Sequence, residues 1–454
     1  MSGSEWAGRA EFLRPPSLSI DFTPGGSIRM NSVPITLQVQ KALRLHIGIF
    51  GCRNAGKSSL INRLTNQELS IVSDVPGTTT DPVEKACELH PIGPVVLIDT
   101  AGIDDTGALG AERVRKSLGV LSWMDLALLV IDAATGITAA DQKLLKDIRE
   151  LGTPAVVVFN QADRVPEGTA ERMASDFSAA EKIPAVACSA KLGTGIEAVR
   201  AAIVKAVEAG WEPDQPLVSG LIPEGRTAIL VVPIDFGAPK GRLIPPQVQS
   251  IRELLDQKSR CLVVLETQVA DAISELKVPP AIVITDSQAV KRVAAQVPPE
   301  IPLTTFSILM ARSKSDLAEL ARGAAVLPEL KPGDPVLICE TCSHNPQGED
   351  IGRVKIPNWL AKNAGGPMKI TVAVSKDFPT DLRPYRVVIQ CGGCMVTRRH
   401  MLARLRECRK QGIPMTNYGI AISHLQGVLE RTLSPFPEAL EAWREAKAAR
   451  SDAA

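Results

Sequence analysis

Short apolar runs alternate with amphipathic stretches along residues 41–208. Each run is long enough for one strand and each stretch for one helix, so the pattern predicts a parallel sheet with helices on both faces. The predicted strands are 45–50, 95–99, 126–132, 155–160 and 185–189. Ligands of open α/β sheets bind at the carboxyl ends of the strands, and we expect the functional residues there.

The same rhythm returns in two smaller regions, after a stretch rich in Pro and Gly at 210–225. Within 225–328 we predict strands at 228–234, 261–264, 281–285 and 303–307, with helices at 248–257 and 268–276. This region has no phosphate loop, cysteine pair or histidine, so we expect it to serve structure or oligomerisation. Within 331–437 we predict strands at 336–339, 369–373 and 386–390. Residues 1–40 are expected to form a flexible leader and residues 438–454 a polar tail.

A phosphate-binding motif follows the first predicted strand. The segment from Gly51 to Ser58 reads GCRNAGKS and fits G-x-x-x-x-G-K-[ST] without a mismatch. Glycines let backbone N–H groups surround the phosphates, Lys57 neutralises β and γ charge, and the Ser58 hydroxyl is a magnesium ligand. The predicted nucleotide-binding residues of this loop are Gly51, Asn54, Ala55, Gly56, Lys57, Ser58 and Ser59.

Two further segments suit the γ-phosphate side of a nucleotide site. Residues 77–81 read GTTTD and resemble the switch segment of TrmE/Era-type GTPases, in which Thr79 contacts magnesium and the γ-phosphate. Residues 99–102 read DTAG and close a buried strand, which places Asp99 near the metal and the Gly102 amide near the γ-phosphate. Ser58, Thr79 and Asp99 are therefore the predicted magnesium residues.

The base-side segments indicate guanine. GTPases of this class read the base with Asn-Lys-x-Asp, and residues 160–163 read NQAD, which keeps Asn160 and Asp163 and replaces the lysine by Gln161. Asp163 accepts from two guanine N–H groups, a pattern that adenine lacks, so we predict GTP rather than ATP. Ser189, Ala190 and Lys191 match the second guanine loop, where the Ala190 amide would meet the base oxygen. The chain is thus predicted to be an α/β protein, a P-loop GTPase domain with a parallel-type sheet followed by two smaller α/β domains.

Hydrolysis needs an oriented water and compensation of developing charge. Ile103 occupies the position at which Ras-like proteins keep their water-orienting glutamine. Asn54 matches the asparagine with which TrmE-like GTPases hold potassium, although a turn-forming role for Asn54 remains open. We therefore expect potassium-stimulated GTP hydrolysis, with Lys57, Asn54 and Thr79 as the catalytic residues.

Five of the nine cysteines lie in the last quarter of the chain, and three of them form a candidate metal site. Cys342 is followed two residues later by His344, and Cys391 and Cys394 form a C-x-x-C with glycines between them. Three thiolates suit an iron–sulfur cubane with one weakly held iron, for which His344, Glu349 or Asp350 would complete the set. Structural zinc and a redox dithiol at the C-x-x-C are the alternatives.

These motifs together resemble the HydF family, the maturation GTPases of [FeFe]-hydrogenase, over about residues 43–435. The family usually has a histidine directly before the C-x-x-C, where this chain has Gln390. The resemblance implies a scaffold or carrier that holds a 4Fe–4S cluster at Cys342, Cys391 and Cys394. It also implies that a diiron precursor from two radical-enzyme maturases is passed on to the apo-hydrogenase, and that the chain is a homodimer through 225–328.

The bulk composition weighs against the main alternative, an RNA-modification or ribosome-assembly GTPase with a C-terminal zinc module. The net charge is +1, and aromatic residues make up 4% of the chain. A nucleic-acid surface usually needs a basic excess, and single strands need aromatic platforms, so nucleic acid is not an expected partner. No run of eighteen apolar residues and no signal pattern occurs, so we expect no membrane span and a cytoplasmic location.

Overall fold

The computed structural model describes residues 44–65, 83–104, 119–210, 214–234, 243–341, 350–374 and 378–452, and within them three β-sheets carry the fold. The first has six strands in the order β2-β3-β1-β4-β5-β6, with β2 antiparallel to β3 and the other neighbours parallel. Its strands are β1 Leu45–Phe50, β2 Val83–Leu89, β3 Gly93–Asp99, β4 Leu126–Asp132, β5 Ala155–Asn160 and β6 Ala185–Ala187. Its helices are α1 Lys57–Thr65, α2 Ala139–Leu151, α3 Thr169–Glu181 and α4 Ile196–Gly210.

The central strands of this sheet are buried on both faces, which explains their continuous apolar sequence. Leu128 of β4 packs in one core with residues of α1 and α4, while its neighbour Leu129 packs in the other core with residues of α2 and α3. The predicted strands 45–50, 126–132 and 155–160 are confirmed, and β3 begins two residues before its predicted start. The antiparallel strand β2 was not predicted. It lies at the edge of the sheet and is mostly exposed or half-buried, so its sequence contains polar residues and lacks the apolar run by which the other strands were recognised.

The second and third sheets each have four strands, all parallel, in the orders β10-β9-β7-β8 and β12-β11-β13-β14. Their strands are β7 Thr227–Val231, β8 Arg260–Val264, β9 Ile282–Thr285, β10 Leu303–Thr305, β11 Pro335–Glu340, β12 Lys369–Val374, β13 Val387–Gln390 and β14 Met415–Asn417. The helices are α5 Pro245–Asp256, α6 Val269–Glu275, α7 Val290–Ala294, α8 Phe306–Lys314, α9 Leu317–Ala324, α10 Ile356–Ala364, α11 Arg398–Lys410, α12 Tyr418–Leu425, α13 Leu429–Leu433 and α14 Pro437–Ser451. One hydrophobic core contains residues of both sheets. The α/β prediction for this half of the chain is confirmed.

The structure differs from the expected polar tail at 438–454. Helix α14 occupies 437–451, and its Ala439, Ala442 and Trp443 are buried while most of its charged residues face outward. Arg450 closes its far end with an ion pair to Glu329 at 2.7 Å. The apolar face of α14 consists mostly of alanines that alternate with charged residues, so the composition of the segment does not indicate a packed helix.

Helix α11 contacts the amino-terminal edge of the first sheet. Its Arg399 donates to the carbonyl of Gly152 at 2.8 Å and to the hydroxyl of Thr153 at 3.1 Å. The adjacent His400 stacks on Trp123, with ring centroids 5.3 Å apart and planes inclined by 20°. Helix α11 begins four residues after Cys394, so these contacts lie close in sequence to the C-x-x-C segment.

Candidate functional site

The loop between β1 and α1 has the backbone that the phosphate motif requires. Gly51 has φ +145°, and a Cβ there would lie 2.1 Å from the carbonyl oxygen of Val130. Gly56 has φ +88°, and a Cβ there would lie 2.3 Å from the side-chain nitrogen of Asn160. Both positions therefore accept only glycine, for backbone and for space. The loop is pinned between β4 and β5, with its amides at the start of α1.

Lys57, Ser58 and Asp99 stand together at the mouth of this loop. The Lys57 ammonium donates to the carbonyls of Gly51 and Cys52, each at 2.9 Å, and the Ser58 hydroxyl donates to Asp99 Oδ2 at 2.8 Å. Asp99 Oδ1 is buried and has no hydrogen-bond partner in the described residues. Burial raises the pKa of Asp99, against the bond from Ser58. A buried carboxylate oxygen without a donor beside a serine hydroxyl fits magnesium, a hard cation that takes oxygen ligands.

The segment after Asp99 lies against the phosphate loop. Ile103 N donates to the carbonyl of Gly51 at 3.3 Å, and Asp104 Oδ1 accepts from Arg53 N at 2.7 Å. A Cβ on Gly102 would lie 2.4 Å from Cγ of Arg53, so the close approach needs glycine. The side chain of Ile103 is buried and apolar, and it offers no group that could orient water. Thr79 lies outside the described residues.

Asn160 joins the phosphate loop to the second base-side loop. Its Nδ2 donates to the carbonyl of Ala55 at 2.8 Å, and its Oδ1 accepts from Ala190 N at 3.0 Å. Cys188 Sγ also lies 3.5 Å from Oδ1, and the Asn160 side chain is 1% exposed. The bond to Ala55 links Asn160 to the phosphate loop, and the bond from Ala190 links it to the second base-side loop. Asn160 therefore holds two loops in place.

Asp163 is the exposed carboxylate of the base side. Ser189 donates to Asp163 Oδ1, and this bond lowers the pKa of the carboxyl, so Asp163 is an anion at neutral pH. The Ser189 hydroxyl also accepts from Leu192 N at 3.1 Å, which ties the serine to its own loop. An oriented, ionised carboxylate at the strand end is the acceptor that two guanine N–H donors need.

Sequence reasoning missed the residues that brace this loop. Arg63 of α1 donates through Nε to the carbonyl of Ala190 at 2.9 Å and through Nη2 to that of Lys191 at 2.8 Å. Ala190 and Lys191 lie 127 and 128 residues after Arg63 in the sequence, and no local sequence pattern indicates these contacts.

Gln161 and Asn54 meet across the site. The Gln161 amide donates to the carbonyl of Asn54 at 2.7 Å, and its oxygen accepts from Arg164 at 2.6 Å. Arg164 in turn pairs with Asp132 at the end of β4, with 3.1 Å between nitrogen and oxygen. Asn54 has φ +61°, a conformation that asparagine tolerates better than most residues, and its side chain is exposed. Gln161, which replaces the usual lysine, thus supports the phosphate loop through its bond to the Asn54 carbonyl.

The C-x-x-C lies at the carboxyl end of β13. Cys391 Sγ accepts from the backbone N of Thr341 at 3.2 Å and from Gln390 Nε2 at 3.3 Å. Gln390 is itself held by Arg404, whose Nη1 donates to Gln390 Oε1 at 2.7 Å. These two donors hold the Cys391 sulfur in place at the end of β13.

The remaining members of the predicted cysteine site are only partly described. Cys394 is half-buried, while Cys342, His344 and Glu349 lie outside the described residues. No group of three or more His, Cys, Asp or Glu side chains suited to a metal occurs among the residues that the structure describes. Burial raises the pKa of Cys339 to about 12 and also raises that of Cys408, so both behave as core residues.

Three family models match the chain in sequence order. The model of the 50S ribosome-binding GTPase matches residues 46–161. The models of the hydrogen maturase F dimerization domain and tetramerization domain match residues 217–315 and 318–435. The first region is therefore a GTPase domain, which binds GTP with magnesium, and the two following regions are oligomerisation domains.

The chain resembles two kinds of curated GTPase, each over part of its length. The chain is 35% identical over 182 residues to the tRNA modification GTPase MnmE of Moorella thermoacetica, covering 38% of this chain and 38% of that protein. It is 40% identical over 136 residues to the GTPase Der of Chloroflexus aurantiacus, covering 29% of this chain and 30% of that protein. The match spans less than two fifths of either relative.

Solved structures also match part of the chain. A crystal structure of Era in complex with MgGDPNP and 16S ribosomal RNA is 26% identical, covers 38% of this chain and 58% of that chain, and has a TM-score of 0.33.

The order of the three matched domains identifies the family. Many GTPases share the first domain, whereas the two domains that follow it here are both hydrogen maturase F domains. On this domain architecture, the chain belongs to the hydrogen maturase F family.

Proposed function

We propose that the protein is a GTPase scaffold in the maturation of [FeFe]-hydrogenase. It hydrolyses GTP in its first domain, holds a 4Fe–4S cluster in its third, and passes a diiron precursor from radical-enzyme maturases to the apo-hydrogenase. The observation that carries the proposal is a cysteine sulfur with two hydrogen-bond donors at a strand end, in a chain of the hydrogen maturase F architecture. The other support is the GTPase domain in the same chain.

The nucleotide half of the proposal assigns each residue a task. Lys57 offsets charge on the β- and γ-phosphates, Ser58 and Asp99 hold magnesium together with Thr79, and Asp163 selects guanine. The exposed Asn54 side chain holds a potassium ion against the phosphates, which replaces the missing glutamine at Ile103. Asn160 and Arg63 keep the loops in place for this chemistry.

Cation dependence tests the potassium step. We expect GTP turnover of the wild type to be several-fold faster in potassium than in sodium at equal ionic strength. Asn54→Ser should bring the two rates together. Gln161→Ala is the matched control, because Gln161 touches the Asn54 carbonyl and leaves its side chain in place. Equal rates in both salts for the wild type would contradict this assignment.

The cluster half assigns Cys342, Cys391 and Cys394 as ligands, with His344 or Glu349 as the fourth. A 4Fe–4S cluster with one weakly ligated iron supplies an open position for transient attachment of the precursor. The chain's own contribution is to hold the Cys391 sulfur in place, through the Thr341 amide and the Gln390 side chain.

Anaerobic reconstitution with iron and sulfide tests this half. We expect a brown protein with about four irons per chain, as the 4Fe–4S cluster implies. Cys391→Ser and Cys394→Ser should each lose most of the iron, whereas the control Cys261→Ser, in β8 of the second domain, should retain it. A colourless product that binds zinc would instead favour the RNA-directed GTPase with a zinc module.

We assign the homodimer contact to the exposed side of the second domain. Strand β8 is an edge of its sheet and carries Val263 at 44% exposure, and helix α5 carries Val248 and Leu255 at 43% and 58%. An open apolar edge strand pairs readily with another copy. Val263→Lys should lower the mass measured by light scattering, whereas Leu192→Lys, on an exposed residue of the GTPase domain, should leave it unchanged.

We place the protein in the cytoplasm, where its proposed partners would meet it. Among the described residues, no helix has the length and apolar character needed to cross a bilayer. Cofractionation of the tagged protein with cytosolic markers is the expected result, and recovery with the membrane pellet would contradict it.

A further inference from the structure

Three adjacent strands of the third sheet end beside one another. Strand β11 pairs with β13 through Cys339 and Gln390, and β13 pairs with β14 through Gln390 and Asn417. All three run in the same direction, so their carboxyl ends share one edge of the sheet. The residues that leave these ends are Thr341, Cys391 and Tyr418.

The first two of these residues are already in contact. Thr341 reaches Cys391 Sγ with both its backbone N and its hydroxyl, each at 3.2 Å. Tyr418 begins helix α12, whose amino end is capped by the side chain of Asn417. This cap fixes the direction in which the chain turns at the edge, and with it the position of Tyr418.

The Tyr418 hydroxyl is buried without a partner. The residue is 9% exposed, and its oxygen makes no hydrogen bond in the described part of the chain. A buried polar group without a partner destabilises the fold, so such groups are rare and call for an explanation. A phenylalanine would fill the same space without that cost.

The surroundings of the hydroxyl are shaped to leave room for it. A Cβ on Gly352 would lie 2.2 Å from the Tyr418 oxygen and 2.8 Å from Glu340 Oε1, so only glycine fits at that position. Burial, followed by the nearby Cys391 and Glu340, raises the pKa of Tyr418 well above its ordinary value. The phenol therefore keeps its proton and is a donor rather than an anion.

We propose that Tyr418 is a positioning residue of the cysteine site, whose hydroxyl donates a hydrogen bond to an anionic sulfur of the iron–sulfur group bound at Cys391. This inference rests on the proposed function, because it needs a sulfur-rich acceptor at this edge. The cluster sulfur gives the buried Tyr418 hydroxyl a hydrogen-bond partner only when the cluster is bound. In the same way, bound magnesium would give Asp99 Oδ1 in the first domain a partner. Hydrogen bonds to cluster sulfurs raise the reduction potential.

The test compares the reconstituted wild type with Tyr418→Phe, which removes the hydroxyl alone. We expect equal iron content and a tenfold smaller equilibrium constant for one-electron reduction, which shifts the potential by about 59 mV to the negative. Electron–nuclear double resonance of the reduced cluster, recorded after exchange into heavy water, should detect an exchanged hydrogen that Tyr418→Phe lacks. The apo variant should melt at the same temperature as the apo wild type or higher, because a buried hydroxyl without a partner has been removed.

The chain has only one other tyrosine, and it supplies the matched control. Tyr385 precedes the opposite end of β13, so Tyr385→Phe should leave the potential and the proton signal unchanged. A wild type that takes up no iron overturns the proposed function and this role together. A wild type that carries the cluster, with Tyr418→Phe of identical potential and proton signal, overturns the role of Tyr418 alone.

Discussion

The replacement of Asn160 by alanine tests whether one buried side chain organises the nucleotide site. Asn160→Ala removes the donor to the Ala55 carbonyl and the acceptor of the Ala190 amide, at 2.8 and 3.0 Å. Each group left buried without a partner costs about 1–3 kcal/mol, so the two loops together are destabilised by about 2–6 kcal/mol. Bound nucleotide must restore their order, and if half of that cost is repaid from binding, affinity falls about 5- to 150-fold.

Fluorescence titration with a GTP analogue in the presence of magnesium measures this loss. Gln161→Ala is the control, because it removes a neighbouring bond of 2.7 Å on the partly exposed side of the same loop. We expect that control to bind within about threefold of the wild type, since a solvated bond contributes about 0.5–1.5 kcal/mol at most and half of that is repaid from binding. An Asn160→Ala protein that binds as tightly as the control would refute the claim that Asn160 holds both loops.

Three further changes have definite expected outcomes. Gly56→Ala places a Cβ 2.3 Å from the side chain of Asn160 and should abolish tight binding in the same titration; retained affinity would contradict the geometry. Burial raises the pKa of Asp125 to about 7 from 3.8. The folded state then holds this proton more tightly than the unfolded state, so stability falls as pH rises from about 4 to 7. Asp125→Asn should flatten the melting temperature over that range, and a slope equal to that of the wild type would oppose this. Trp443 is 4% exposed, and Trp443→Ala should cost about 3–5 kcal/mol and lower the melting temperature; an unchanged melting temperature would contradict the packing of α14.

The sequence by itself determined the elements and the chemistry that depend on neighbours along the chain. Apolar runs such as 126–132 became buried strands, because a strand covered on both faces needs an apolar residue at every position. The spacing from Gly51 to Ser58 predicted the phosphate loop, since glycines and a following helix are needed within eight residues. Asp99 was expected at a strand end, and the structure brings it to Ser58.

Tertiary structure decided what depends on partners far away in sequence. Asn160 contacts the Ala55 carbonyl 105 residues away, and no pattern near either residue indicates that bond. Tyr418 reads as an ordinary core aromatic until the register of β13 and β14 brings it to the edge where Cys391 lies. The alanine-rich face of α14 is buried only because other helices cover it. A linear pattern records which faces avoid water, but which atoms then meet is set by the packing of strands and helices.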